Sequence, residues 1–451
     1  MRCITPLKRY SVSAALAGML ATIVGCASYA PLPLDHGSAP KQRLDELQHG
    51  ARPLPAHLGI GDVAVLAVLN NPDLVAARAQ RGLAQAQILA AGIAPNPSLS
   101  GSYGFVLSGP GTVAALAAGI GQDVKSLVTL SSKRASAGYA AGEIDAKLLW
   151  QEWQTIAKAR LLTVDLIEGE KRLRLLRQGA SELGELLARS RQALAQGDTT
   201  LTALVPDLGA VASAQTQLDD LERRQDTNRR DLNVLLGLAP QAVLPLAQSV
   251  DLSPIDADSV REALAGLVDR RPDLIALQLG YRAQEEQVRG AILGQFPALL
   301  VGITGGHDNT NVRTLGPQIT MDLPLFDRNQ GKIAVERAAR RQLHDEFGAR
   351  VSLARAEVES LLEDTVLLQR QYAAKQPQLL ELDQAAERAG VAYRAGDLDE
   401  RTYVDTLSAR IFKQQELVVI EQTLLQQQIA MATLVGAGMP AVTLPAQETQ
   451  S

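Results

Sequence analysis

The chain has 451 residues, with 44 Lys and Arg against 49 Asp and Glu, and the net charge of −5 leaves no basic footprint for nucleic acid. Hydrophobic residues make up 46% but aromatics only 3%, so Ala, Leu and Val carry the burial, which favours long, thin helical packing over a deep globular centre. The five His and two Cys offer no His pair at helical spacing and no Cys-x-x-Cys, so neither a metal site nor a cofactor is expected.

The N-terminus carries a basic stretch with Arg2, Lys8 and Arg9, then a run of apolar and small residues from Val12 to Val24, then Ile23-Val24-Gly25-Cys26. This is the pattern of a bacterial signal peptide over 1–25. Its last four residues resemble a lipobox, in which the thiol of Cys26 becomes the lipid attachment site. Cleavage before Cys26 would discard Cys3 and leave no internal disulfide. Ala27 in place of Asp implies transfer to the outer membrane. Residues 26–59, with Pro31, Pro33, Pro40, Pro53 and Pro55, suit an extended, lipidated strap. Beyond the signal, no segment has the 18 or more apolar residues of a spanning helix, so any crossing of a membrane must use β-strands.

An internal repeat organises the remainder. Asn71-Pro72-Asp73-Leu74 returns as Arg271-Pro272-Asp273-Leu274, and Ala76, Gln87, Ala91, Pro97 and Leu99 return 200 positions later. Further on the offset is 199: Asp123 with Asp322, Lys133 with Lys332, Gly197-Asp198 with Gly396-Asp397, and Leu235-Leu236-Gly237 opposite Leu434-Val435-Gly436. The first repeat spans 60–237 and the second 259–437, with a linker at 238–258 and a tail at 438–451.

Each repeat changes period twice. A helical pattern covers 62–94 and 259–293, with Pro and Asp at the start of a helix or of its strong segment. Strict alternation follows: Leu99, Gly101, Tyr103, Phe105 and Leu107 on one face against Ser98, Ser100, Ser102 and Gly104, and likewise Leu315, Pro317, Ile319, Met321 and Leu323 against Thr314, Gly316, Gln318, Thr320 and Asp322. Period two with one oily and one polar face predicts strands of membrane-barrel length. Weaker partners complete hairpins at about 98–124 and 298–323. The helical period then returns over 131–237 and 328–436, with one seam through Leu343, Phe347, Val351, Ala354, Val358, Leu361, Thr365, Leu368 and Tyr372. The run 131–196 alone would reach roughly 100 Å. Gly197-Asp198 and Gly396-Asp397 stop these helices, each followed by an N-cap that turns the chain back.

Four strands cannot close a barrel, because the smallest membrane barrels have about eight. Three copies would supply twelve. The order of helix, hairpin and long helix pair, opened twice by Asn71-Pro72-Asp73-Leu74 and Arg271-Pro272-Asp273-Leu274, resembles the TolC-type outer-membrane efflux channels. Leu323-Pro324-Leu325-Phe326-Asp327-Arg328-Asn329-Gln330-Gly331 resembles the post-hairpin motif of members serving heavy-metal pumps. The resemblance implies a mainly α fold with a small membrane β part. Long antiparallel helix pairs would form an α-barrel, and a homotrimer would share one twelve-stranded β-barrel in the outer-membrane lipid. It also implies docking to a periplasmic adaptor and an inner-membrane pump, and passive transport with no enzymatic step. In that family carboxylate rings close the periplasmic mouth near the helix turns. Asp405, nine positions after Gly396, matches one such position, and Asp207 lies one residue beyond the corresponding place in the first repeat.

Other motifs fall away on inspection. Gly331-Lys332 is followed by Ile333 rather than Ser or Thr, so it is not a phosphate loop, and Gly119-x-Gly121 lacks the third Gly of a dinucleotide site. Arg223-Arg224, Arg229-Arg230 and Arg340-Arg341 read as solvated helix faces, and His307-Asp308-Asn309 as an ordinary polar turn. The competing function is a periplasmic lipoprotein whose coiled coils act as a scaffold. Such a spacer has no use for strands with an oily face.

Overall fold

A computed structural model describes residues 29–37, 39–51, 53–252 and 256–439. Cys26, the expected signal peptide and most of the C-terminal tail lie outside the described residues. The chain divides at Pro40. Up to that point the described residues contain no helix or strand.

From Lys41 onward the elements follow the repeat. The first half contains α1 (Ile60–Asn70), α2 (Pro72–Gly92), β1 (Ser98–Gly104), β2 (Ala115–Asp123), α3 (Val124–Gln196) and α4 (Leu201–Leu235). The second contains α5 (Ala257–Ala265), α6 (Leu267–Arg270), α7 (Pro272–Leu293), β3 (Leu299–His307), β4 (Arg313–Met321), α8 (Gln330–Ala395) and α9 (Glu400–Leu434).

The helix expected over 62–94 is broken at Asn71, because Pro72 has no N–H to donate and disfavours helical geometry in the residue before it. Asn71 turns the break into a cap. Its side chain accepts from the Leu74 N–H at 3.0 Å and donates to the Leu235 carbonyl at 2.9 Å, tying the start of α2 to the end of α4. Arg271, its repeat mate, is 1% exposed and cannot cap, since a guanidinium only donates; charge ties this helix start instead. Its guanidinium donates twice to Asp273, at 2.8 and 3.0 Å, while Arg350 of α8 reaches the same carboxylate at 2.9 Å.

Two long rods differ in where they begin. Helix α3 starts at Val124, seven residues earlier than the pattern suggested, because Asp123 ends β2 and immediately caps the helix through the Ser126 N–H and hydroxyl. Its 73 residues extend about 110 Å. In the second repeat Pro324 blocks that direct passage, and α8 begins only at Gln330. The seam from Leu343 to Tyr372 is buried or half-buried throughout, as the helical period required.

Helix α3 packs along α2, α7, α4 and α9, while α8 packs along α7 and α9. Near the middle, Leu47 and Leu58 join Val63 and Leu66 of α1, Ala159 and Leu166 of α3, and Leu232 and Leu236 of α4 in one core. The segment before α1 is fixed there by short parallel bridges, Lys41 with Leu238 and Leu58 with Leu246.

Candidate functional site: a two-faced sheet and two distal turns

The four strands form one antiparallel sheet in the order β1-β2-β3-β4, so the two repeats meet between β2 and β3 and the sheet keeps two open edges. The register sorts the side chains. Leu99 opposes Ile120, Ile120 opposes Ile303, and Val301 opposes Ile319, so one face carries Leu99, Tyr103, Leu116, Ile120, Val301, Ile303, Leu315 and Ile319. The other face carries Ser98, Ser100 and Ser102 against Gly121, Gly119 and Ala117, then Gly302, Thr304 and Gly306, then Thr314, Gly316, Gln318 and Thr320. A nine-residue strand is about 30 Å long, and a tilt of about 40° brings its height near the 25 Å of a lipid-facing band. This face is made mainly of small residues, with Asp123 and Leu300 paired at its helix-side end, which leaves room for solute on a barrel's inner side. Strand β1 stops at Gly104 rather than Leu107, because its partner β2 begins at Ala115, opposite Gly104, and the chain between them turns through the positive φ of Gly109 and Gly111.

At the other end of the rods, Gly197 and Gly396 adopt φ of +82° and end α3 and α8. The Asp198 N–H reaches the Ala193 carbonyl and the Asp397 N–H that of Ala392, both at 2.9 Å, which is the Schellman pattern. Those bonds commit the two Asp residues to the helix stop. The following N-caps therefore fall two residues later, at Thr200 and Asp399. Asp399 accepts from the Thr402 N–H at 3.0 Å, and the Thr402 hydroxyl holds its carboxyl below the usual range.

The two candidate carboxylates sit differently. Asp405 is exposed, with Arg401 one turn before it at 3.9 Å. Asp207 is 3% exposed and accepts from the Ser190 hydroxyl at 2.6 Å. Glu400 of α9 approaches that hydroxyl at 2.6 Å as well, so Ser190 joins the two repeats. Tyr393 donates to Glu400 at 3.3 Å and stacks on Tyr403, with ring centroids 5.1 Å apart. Burial first, and the Glu400 charge second, hold the Tyr393 phenol above its ordinary range, so it stays a donor. Ser190, Tyr393, Glu400 and Tyr403 were not singled out from sequence. The only signal was two Tyr bracketing a Gly-Asp turn in a chain with eight Tyr in all.

No protein-family model matches the chain. It is 24% identical to the pyoverdine export outer membrane protein OpmQ of Pseudomonas aeruginosa, over 92% of this chain and 95% of that one. Its structure is similar to that of the outer membrane protein VceC of Vibrio cholerae, with a TM-score of 0.69, 16% identity and coverage of 84% and 96% of the two chains. It is also similar to the MtrE outer membrane channel of Neisseria gonorrhoeae, with a TM-score of 0.68, 16% identity and coverage of 93% and 100%. The fold is that of the TolC-type outer-membrane channels.

Proposed function

We propose that the protein is the exit duct of a tripartite efflux pump, a homotrimer conducting solutes passively through the outer membrane and across the periplasm. The observation that carries this reading is the sheet, with one apolar face, one small polar face and two unpaired edges. Alternate strands run in opposite directions, so β4 of one copy can pair antiparallel with β1 of the next, and three copies close twelve strands without leaving an edge. A scaffold lipoprotein would gain nothing from that face. The likeness to OpmQ over nearly the whole of both chains supports the same reading.

The helical rods then line the periplasmic tunnel and present the turns at Gly197 and Gly396 to a periplasmic adaptor and an inner-membrane pump. Asp405 narrows the mouth as a ring of three carboxylates, and Asp207 braces it from within α4. Cys26 carries the lipid. Reconstitution tests the central claim: a heat-resistant trimer from outer-membrane extracts with single-channel conductance in planar bilayers is expected, and a water-soluble monomer without conductance overturns it. For the anchor, fatty-acid labelling should vanish in Cys26→Ser, and persistence of the label would remove that assignment.

A further inference from the structure

Where the rods leave the sheet, a cleft of about 630 Å³ touches four neighbouring helices: α2 at Ala91, α3 from Lys125 to Ala140, α7 around Gly290 and α8 at Lys332. Since α2, α3, α7 and α8 lie side by side, a hollow that reaches all four is on the concave side of their layer. Asp123 marks the same side. It belongs to the polar face of β2, and its carboxylate holds Ser126, which lines the cleft.

Three features of this cleft favour an anion. Lys125, Lys133 and Lys332 line it, and none forms an ion pair among the described residues. Lys133 and Lys332 are repeat mates, so the internal symmetry brings them to one place. Two acids also line it: Glu286 pairs with Arg289 at 3.1 Å, while Glu336 accepts from Gln284 at 2.6 Å and keeps its charge, so the three Lys still outnumber the one unpaired carboxylate. The first turn of α8, a helix of 66 residues, opens into the cleft with no side-chain cap: Asn329 has a left-handed φ of 62°, and its Nδ2 donates to the Ala291 carbonyl at 2.6 Å. Such a turn offers free N–H groups and the positive end of the helix dipole. Finally, Ser132 is 2% exposed, lines the cleft, and its hydroxyl has no hydrogen-bond partner. A buried hydroxyl without a partner is destabilising, so a ligand that supplied an acceptor would remove that cost.

We propose that the cleft is an anion-binding site in the tunnel wall, three per trimer, in which Lys125, Lys133, Lys332, the α8 first turn and the Ser132 hydroxyl hold a carboxylate- or phosphate-bearing solute as it passes toward the barrel. This rests on the channel reading above. Binding is multi-site and desolvated only in part, so it concentrates acidic solutes without trapping them.

Pyrophosphate added to the full-length trimer in planar bilayers tests the site. The parent should show concentration-dependent block that weakens in high salt. In the Lys133→Gln/Lys332→Gln variant the half-blocking concentration should rise at least about tenfold, near 1.4 kcal/mol, and the reversal potential in a salt gradient should move toward cation preference. Ser132→Ala should raise it severalfold without lowering trimer heat resistance, an effect that a hydroxyl serving only helix packing would not produce. No block of the parent, or equal block of parent and variants in conducting trimers, overturns the proposal while leaving the channel reading intact. If instead the variants lose bound phosphatidylglycerol in native mass spectrometry with conductance and block unchanged, the cleft faces lipid and the tunnel-wall site is wrong. Absence of conductance in the parent counts against the channel itself.

Discussion

Asp165 stands on the face of α3 that meets α9, where two amides, those of Gln422 and Gln426, point at one of its oxygens. Among the described residues no cation pairs with it. Burial raises its pKa, and the two amides offset that only in part. Because the folded value lies above the unfolded one, the native state binds the proton more readily, and stability is lost as pH rises through the folded pKa. Raising the pH from the ordinary carboxylate range near 4 should therefore lower the heat-dissociation midpoint of the trimer. Asp165→Asn should be at least as stable as the parent at pH 8 and show a smaller slope, with the remainder left to Glu168, which burial also raises. An unchanged slope would show that Asp165 does not titrate in this window. At the mouth, the repeat offset of 199 places Asp405 opposite Pro206 and Asp207 opposite Thr406. One residue is about 100° around a helix, which is why one carboxylate is buried and the other is free. If Asp405 lines the constriction, Asp405→Ala should weaken divalent-cation block of the closed channel without altering trimer assembly, as read in bilayer recordings. Equal block in parent and variant would remove it from the mouth.

At the scale of elements, the turns and the helix contacts use glycine for different reasons. Around Gly396 nothing lies within 4 Å of an added Cβ, so Gly396→Ala meets only the cost of a left-handed backbone, about 1 kcal/mol. That is roughly a fivefold shift in local opening. Limited proteolysis at Arg394 and Arg401 should accelerate by about that factor, with the midpoint of global unfolding nearly unchanged. At Gly179 the limit is space, since a Cβ would stand 2.6 Å from Ile411 Cδ1 where α3 and α9 touch. The same economy separates the two halves of the chain. Asp123 lets a strand pass directly into a helix, whereas Pro324 forces a loop from Asp322 to Asn329 before α8 can start.

For the whole molecule, the sheet is the part that a single chain leaves unfinished. Its apolar face is exposed, with Leu99 at 83% and Ile319 at 70%, and both outer strands lack partners on one side. Ile319 lies opposite Val301, two residues from the end of β4, and Ile319→Arg should cost about 1–3 kcal/mol per chain, between the midplane and interface values. Gln318, its neighbour on the other face, should tolerate Ala. The yield of heat-resistant trimer in the outer-membrane fraction should fall sharply for the first variant and hold for the second. Similar losses for both would mean that the two faces are not distinguished by lipid.

Residue patterns alone determined the two repeats, the alternation of helical and period-two segments, the oily and polar faces of the strands, and the stops at Gly197 and Gly396. Each of these is local chemistry that recurs every two or every 3.6 residues, so it is written where it acts. The tertiary structure decided the rest: the break at Asn71, the start of α3 at Val124, the burial of Asp207, the exposure of Asp405, and the meeting of Lys133, Lys332 and the unpartnered Ser132 hydroxyl in one cleft. The physical reason is phase. A helical pattern drifts by about 20° per heptad between 3.5 and 3.6 residues per turn. Along the 73 residues of α3 that drift amounts to more than half a revolution, and only contact with the neighbouring rods fixes which side chains face the tunnel.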